Sequence, residues 1–139
     1  WLHEKALSKS HLIYEHLDDN TKIIHVWDDN YYQKRAYSLK RLVFIYETLC
    51  ELPAEIIYGN TLEVIKDINP DKILTPYTVG TEIRQLLAKL SQTIPIDMIK
   101  DTLFAHVSDK YEFKRFFRYW KKASHTAFLI NGTSNAKEN

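Results

Sequence analysis

The residue types that could do chemistry in this sequence are present but not gathered. Its six histidines, at 3, 11, 16, 25, 106 and 125, include no His-x-x-x-His pair, so no metal site is expected. The single cysteine, Cys50, excludes an intramolecular disulfide and a multi-cysteine metal centre. It falls in an apolar helical run and reads as a buried, inert thiol. Phosphate loops and dinucleotide turns need clustered glycines so that backbone N–H groups can approach the phosphate. The three glycines, at 59, 80 and 132, form no Gly-x-Gly cluster. Nor is there a Gly-x-Ser-x-Gly elbow for a serine nucleophile. No catalytic residue and no resident cofactor is expected on these grounds.

Three places keep a functional reading. Asp28 and Asp29 close a short β-branched run, where a carboxylate can orient a ligand or simply cap the following helix. His25, inside that run, reads as a satisfied core histidine. Tyr77, Thr78, Gly80 and Thr81 form a loop that opens a helix. Facing His3 and the polar loop after it, they make the small-molecule pocket expected at the switch point of an open sheet, with Asp28 nearby and Lys5 and Lys9 as its cations. The third place is 111–123, where Phe113, Phe116, Phe117 and Trp120 fall on one helical face among Lys114, Arg115, Arg118, Lys121 and Lys122. Burying each aromatic ring is worth ~2–3 kcal/mol, so the stripe is expected to meet partly its own sheet and partly another protein. The partner-binding residues expected are Phe113, Arg115, Phe117, Arg118, Trp120 and Lys122, aromatic and Arg anchors with a charged rim. Nucleic acid and an anionic membrane surface are other readings of the same charges.

The elements that must position these residues alternate along the chain. Residues 23–27 read as a strand, with Tyr31 and Tyr32 in a link after it. Residues 34–52 read as a helix with apolar positions at 39, 42, 43, 46, 49 and 50, the spacing of a buried face. Pro53 stops it, and 54–58 resumes as a strand, so the three form a βαβ unit that implies parallel strands. Asn60 with Glu63 signals a helix start for a helix that turns Leu62, Ile65 and Ile68 inward. Strands at 73–75 and 96–99 flank a helix over 81–91 with Ile83, Leu86, Leu87 and Leu90 on one face. Residues 11–17 read as a short helix, and 1–2 as the tail of a first strand whose start lies upstream of Trp1. The expected fold is α/β: a doubly wound, five-stranded parallel sheet, Rossmann-like with flavodoxin-like order, plus a carboxyl-terminal aromatic–basic helix. In that order the third, second, first, fourth and fifth strands lie side by side. Residues 1–125 form the domain and 126–139 a polar, flexible tail.

With 139 residues, 45% hydrophobic and 27% charged, the chain has the composition of one globular domain. A net charge of +1 gives no overall attraction to nucleic acid or to anionic lipid. No apolar run approaches the ~20 residues of a membrane span. Without a signal peptide or paired cysteines, the expected location is the cytoplasm or an equivalent reducing compartment.

The motifs also carry a resemblance. Trp1-Leu2-His3 with its polar loop resembles the Trp-Phe-Arg-Arg-Asp-Leu opening of photolyases and cryptochromes. Ile24-His25-Val26-Trp27-Asp28 resembles their second strand, 38–49 the helix after it, and 55–65 the next strand, turn and helix. Asp101-Thr102-Leu103-Phe104 resembles the close of that family's first domain, and 111–122 is similar to the aromatic stretch that follows. His3-Glu4 replaces the double arginine, and Ser10-His11 stands where Asp-Asn is usual. The resemblance covers the amino-terminal α/β domain of the family and not its flavin domain. It implies a stand-alone, non-catalytic domain whose ligand, where it has one, is a folate or deazaflavin antenna. Two functions follow as expectations: an accessory subunit that binds another protein, or a small-ligand, nucleotide or antenna-binding module. A lyase activity would require this chain to be a fragment or subunit of a DNA photolyase.

Overall fold

The computed structural model describes residues 1–103, 105, 107–108 and 114–127. It divides into two compact units, Trp1–Asp101 and Thr102–Asn139. In the first, β-branched runs form four short strands: β1 (Ile24–Trp27), β2 (Glu55–Tyr58), β3 (Ile73–Pro76) and β4 (Ile96–Ile99). Their helices are α1 (Asp29–Lys34), α2 (Leu39–Cys50), α3 (Thr61–Ile68) and α4 (Thr81–Leu90), with a 3-10 turn over Leu12–His16.

Each helix of this unit begins where a side chain can satisfy its open N–H groups, except α4, which Gly80 opens with no side-chain bond. Asp28 accepts from Tyr31 N, Ser38 from Arg41 N, and Asn60 from both Leu62 N and Glu63 N. Asn69 ends α3 in the left-handed region at φ 46°, a conformation asparagine tolerates. Gly59, at φ +153°, turns β2 into α3 so tightly that a Cβ there would lie 2.8 Å from Val64 Cγ2.

β1 and β2 pair in parallel with α2 between them, Ile24 opposite Glu55 and Trp27 opposite Tyr58. β3 and β4 pair in parallel through α4, Ile73 opposite Ile96 and Pro76 opposite Ile99. The period-two alternation of these strands feeds two separate cores. Ile23, Trp27, Ile56, Leu74 and Ile99 join Ile45 and Leu49 of α2, while Ile24, Val26, Ile73 and Ile96 join Ile65 of α3 and Leu90 of α4.

The five-stranded doubly wound sheet does not form. Two separate two-stranded parallel sheets stand in its place. Leu2 N donates to Ile24 O at 2.8 Å and Trp1 N to Leu74 O at 2.7 Å, one bond to each sheet. A strand needs a repeating ladder, and at the next residue it is the His3 ring, not the His3 backbone, that bonds β3.

Local expectations shift as well. Tyr31 and Tyr32 lie in a helix of their own, α1, and Ala36 at φ 49° separates it from α2. The buried residues of α2 are Ile45 and Leu49; of the predicted stripe Leu49 is buried and Leu42 packs on the same core, but Leu39 is 76% exposed, and Val43, Tyr46 and Cys50 are exposed too. The helix is apolar around most of its circumference, so spacing alone could not fix its rotation. Cys50 points to solvent because Leu49, about 100° away around the helix, takes the core. In the second unit α5 covers Phe116–Ala123. The predicted residues 111–113, Phe113 among them, and the polar tail from 128 lie outside the described residues.

Candidate functional site

The corner marked out in the sequence lies at the carboxyl ends of β1 and β3, and its polar side chains are buried against one another. Asp28 is buried. Its Oδ1 accepts from Tyr31 N at 3.0 Å, and its Oδ2 accepts from Thr61 N at 2.9 Å and Thr61 Oγ1 at 3.0 Å. One carboxylate therefore caps α1 and ties it to the start of α3.

Buried Glu4 accepts at Oε1 from Tyr31 Oη at 2.7 Å and from Tyr37 Oη at 3.0 Å. Burial, and secondarily the Glu4 carboxylate, holds the Tyr31 hydroxyl well above the usual tyrosine range. Tyr37 shifts the same way, for the same leading cause.

The two histidines of the corner have defined tautomers. His3 Nε2 lies 3.0 Å from Pro76 O, while Lys5 N donates to His3 Nδ1 at 3.3 Å. A carbonyl only accepts, so Nε2 carries the proton. His25 Nδ1 lies 2.9 Å from Leu2 O and its Nε2 2.8 Å from Tyr32 Oη. Its proton is therefore on Nδ1, and Tyr32 donates to Nε2. Burial holds both imidazoles below the usual histidine value. They are neutral structural links between strands and helices.

Of the predicted pocket residues, His3 alone lines the small space at this corner. Tyr77 is exposed, with Lys100 Nζ 5.6 Å from its ring centroid. Thr78 is buried and accepts from Gly80 N at 3.0 Å. Thr81 is exposed at the start of α4. On the same side of the fold Arg35 pairs with Glu82 of that helix. The space at this corner is about 10 Å³, room for about one water. It is lined by His3 but by none of Tyr77, Thr78, Gly80, Thr81 or Asp28.

The larger space lies at the opposite, amino-terminal ends of the strands. A cavity of about 550 Å³ runs between β1 and β3, walled by Trp1, Leu2, Ile24, Ile65, Ile73 and Leu74, a volume in the range of ligand sites. Tyr14 also lines it, and its hydroxyl is buried without a hydrogen-bond partner. No motif marks this place.

The third feature is α5. Phe116 stacks on Trp120 with centroids 6.1 Å apart and an 11° tilt, and Phe117 meets Phe116 edge-on at 5.7 Å. Phe116 is 65% and Phe117 82% exposed. Residues 114–127 hold Lys114, Arg115, Arg118, Lys121 and Lys122 and no carboxylate.

Among the described residues no three His, Cys, Asp or Glu side chains are placed to hold a metal ion, and no helix is long and apolar enough to cross a membrane. Neither a family model, nor a curated protein, nor a solved structure matches the chain.

Proposed function

We propose that this chain is a non-catalytic, photolyase-like α/β module that works by binding another protein through the α5 surface. The observation that carries the reading is Phe117, 82% exposed beside Arg118 in a described stretch, 114–127, that holds five cations and no carboxylate. Burying that ring in a partner pocket is worth ~2–3 kcal/mol. Arginine and aromatic side chains are the usual anchors of such contacts. The partner surface has an apolar centre for Phe116 and Phe117 and an acidic rim for Arg115, Arg118 and Lys122. A protein suits this better than nucleic acid does, because the whole chain carries a net charge of only +1 and nucleic-acid affinity rests on many phosphate contacts. The motif order shared with photolyases adds the expectation that no reaction is performed. An antenna chromophore is not part of this reading, since the corner it would occupy leaves about 10 Å³. The exposed Cys50 thiol fits a reducing compartment such as the cytoplasm.

The test is affinity capture with the full chain as bait, comparing wild type with Phe117→Ser and Arg118→Glu. One defined protein should be retained by wild type and lost with both variants, whose melting temperatures stay within a few degrees of wild type. A partner set unchanged by both substitutions, or one that disappears on nuclease treatment, would remove the reading.

A further inference from the structure

The outer side of α2 carries an apolar stripe that its own core leaves open. Leu39, Val43, Tyr46 and Cys50 recur at steps of 4, 3 and 4 residues, so at about 100° per residue they share about 60° of arc. Ile45 and Leu49, which enter the core, and Leu42, which packs on it, lie about 100° round the helix from that stripe. Leu39 is 76%, Tyr46 53% and Val43 45% exposed, and Cys50 is exposed as well. Alternating steps of 4 and 3 are the seam of two paired helices, in which these residues hold the d, a, d and a positions. Tyr46 is already held in place: its ring meets Trp27 edge-on with centroids 5.9 Å apart, so little side-chain freedom remains to be lost on contact.

The order of sizes along the stripe and the charges on its flank decide what it fits. Against an antiparallel copy of itself, Leu39 faces Cys50 of the other copy and Val43 faces its Tyr46, each layer occurring twice. Every layer then sets a smaller side chain against a larger one, the condition for facing side chains to interdigitate. The solvent flank is the e position, held by Lys40 and Glu47, both exposed. In an antiparallel pair e positions face e positions, so each Lys40 meets the Glu47 of the other copy, and such flanking pairs set partner and orientation. Among the described residues neither Lys40 nor Glu47 is in an ion pair. A parallel pairing loses both features, because it sets Tyr46 against Tyr46 and turns Lys40 and Glu47 toward Leu42 and Leu49.

We propose that α2 is the contact helix of a homodimer: it pairs antiparallel with α2 of a second copy of this chain through Leu39, Val43, Tyr46 and Cys50, with Lys40–Glu47 ion pairs along the rim. The stripe is complementary to itself in size and in charge, as a two-fold contact requires. The two Cys50 thiols lie at opposite ends of the seam, so no disulfide joins the copies. The 12 residues of α2 span about 18 Å, which puts the contact at the small end of specific interfaces, about 1,000 Å². The dimer is therefore weak and concentration-dependent, with a dissociation constant on the order of 10–100 μM. It uses a surface other than α5 and does not rest on the α5 reading.

The test is analytical ultracentrifugation of the full chain between about 1 μM and about 1 mM, across which monomer should give way to dimer. Val43→Glu puts a charge inside the seam and should leave monomer throughout that range. Because position 43 is exposed, the melting temperature of this variant in dilute solution should stay within a few degrees of wild type. Lys40→Glu and Glu47→Lys each set like charges against one another twice and should weaken the dimer by about fivefold or more. An equimolar mixture of these two variants restores opposite charges at both ends of the rim and should recover the wild-type affinity as a heterodimer. Cys50 should react freely with a thiol reagent in dilute protein, and more slowly at high concentration in proportion to the monomer that is left. A chain that is monomeric up to about 1 mM, or a dimer that survives Val43→Glu or is lost on Phe117→Ser instead, would overturn the proposal. So would a mixture of the two charge variants that associates no more tightly than either alone.

Discussion

Asp28 is where a ligand-binding reading and a structural reading of the same carboxylate separate most cleanly. Replacing it with alanine removes the cap of α1, worth ~1 kcal/mol. It also leaves Thr61 N–H and its hydroxyl without the oxygen that both reach at 2.9–3.0 Å. Thr61 is only 3% exposed, so water cannot readily replace that oxygen, and orphaning buried donors costs ~1–3 kcal/mol. The expected loss for Asp28→Ala is therefore about 3 kcal/mol. In a unit of this size, at about 4–8 °C per kcal/mol, that is roughly 12–24 °C in melting temperature. Asp28→Asn keeps one acceptor and should lose about half as much, because its amide oxygen can serve Tyr31 N or Thr61 but not both. Thr61→Val removes only the hydroxyl bond, and combining it with Asp28→Ala should cost less than the sum of the two. Urea unfolding followed by circular dichroism gives each value, with the denaturant slope as a check that the unfolded state is unchanged. An Asp28→Ala protein within 1 kcal/mol of wild type, or more stable than it, would refute the reasoning. Increased stability is what removing a ligand-orienting carboxylate would give instead.

The neutral histidines predict a pH dependence. Burial holds His3 and His25 below the usual 6.5, so on acidification the unfolded chain takes up these two protons first. Their contribution is complete above about pH 6.5 and is lost as pH falls toward the lowered values, at up to ~1.4 kcal/mol per pH unit for each histidine. His25→Gln should flatten this slope between pH 6.5 and 5, and an unaltered slope would show that His25 is not one of the titrating groups. Cys50 should react with a thiol reagent in the native protein at a rate near that of the urea-unfolded chain, and protection of the native thiol would contradict its place on the outer face of α2. Gly59→Ala should cost more than ~1 kcal/mol in urea unfolding, because the new methyl meets Val64 Cγ2 in a backbone conformation that suits glycine. A neutral effect would mean that the β2–α3 turn relaxes freely.

Helix caps and strands were legible in the sequence because their signals are local. Asn60 before Thr61-Leu62-Glu63, and the β-branched runs at 23–27 and 73–75, need nothing from the rest of the chain to be read. The rotation of α2 was not legible, since Leu39, Leu42, Val43, Ile45, Tyr46, Leu49 and Cys50 allow more than one inward face and only packing against β1 and β2 selects Ile45 and Leu49. The single sheet was inferred from alternation of strands and helices. Alternation fixes the parallel pairs β1·β2 and β3·β4, but it does not fix whether two residues, Trp1 and Leu2, can make a ladder between them. At the corner, His3 and Asp28 were singled out as polar residues at strand ends. The sequence could not show that Glu4, Tyr31, Tyr32, Tyr37 and Thr61 would converge on the same few ångströms, because those partners lie up to 33 residues away.

That convergence bears on where this protein can bind anything. Open α/β folds usually take ligands at the carboxyl ends of their strands, and here those ends are tied by hydrogen bonds among buried groups: Asp28 to Thr61, Glu4 to two tyrosines, His25 to Tyr32. A ligand entering there would first have to break several of these bonds, each at ~1–3 kcal/mol for the donor or acceptor left behind. It would gain about 10 Å³ of existing space. At the amino ends the balance is reversed. There the cavity between β1 and β3 holds about 550 Å³, walled mainly by apolar side chains. The end of the fold that looks richest in functional residues is therefore the end that holds the first unit together.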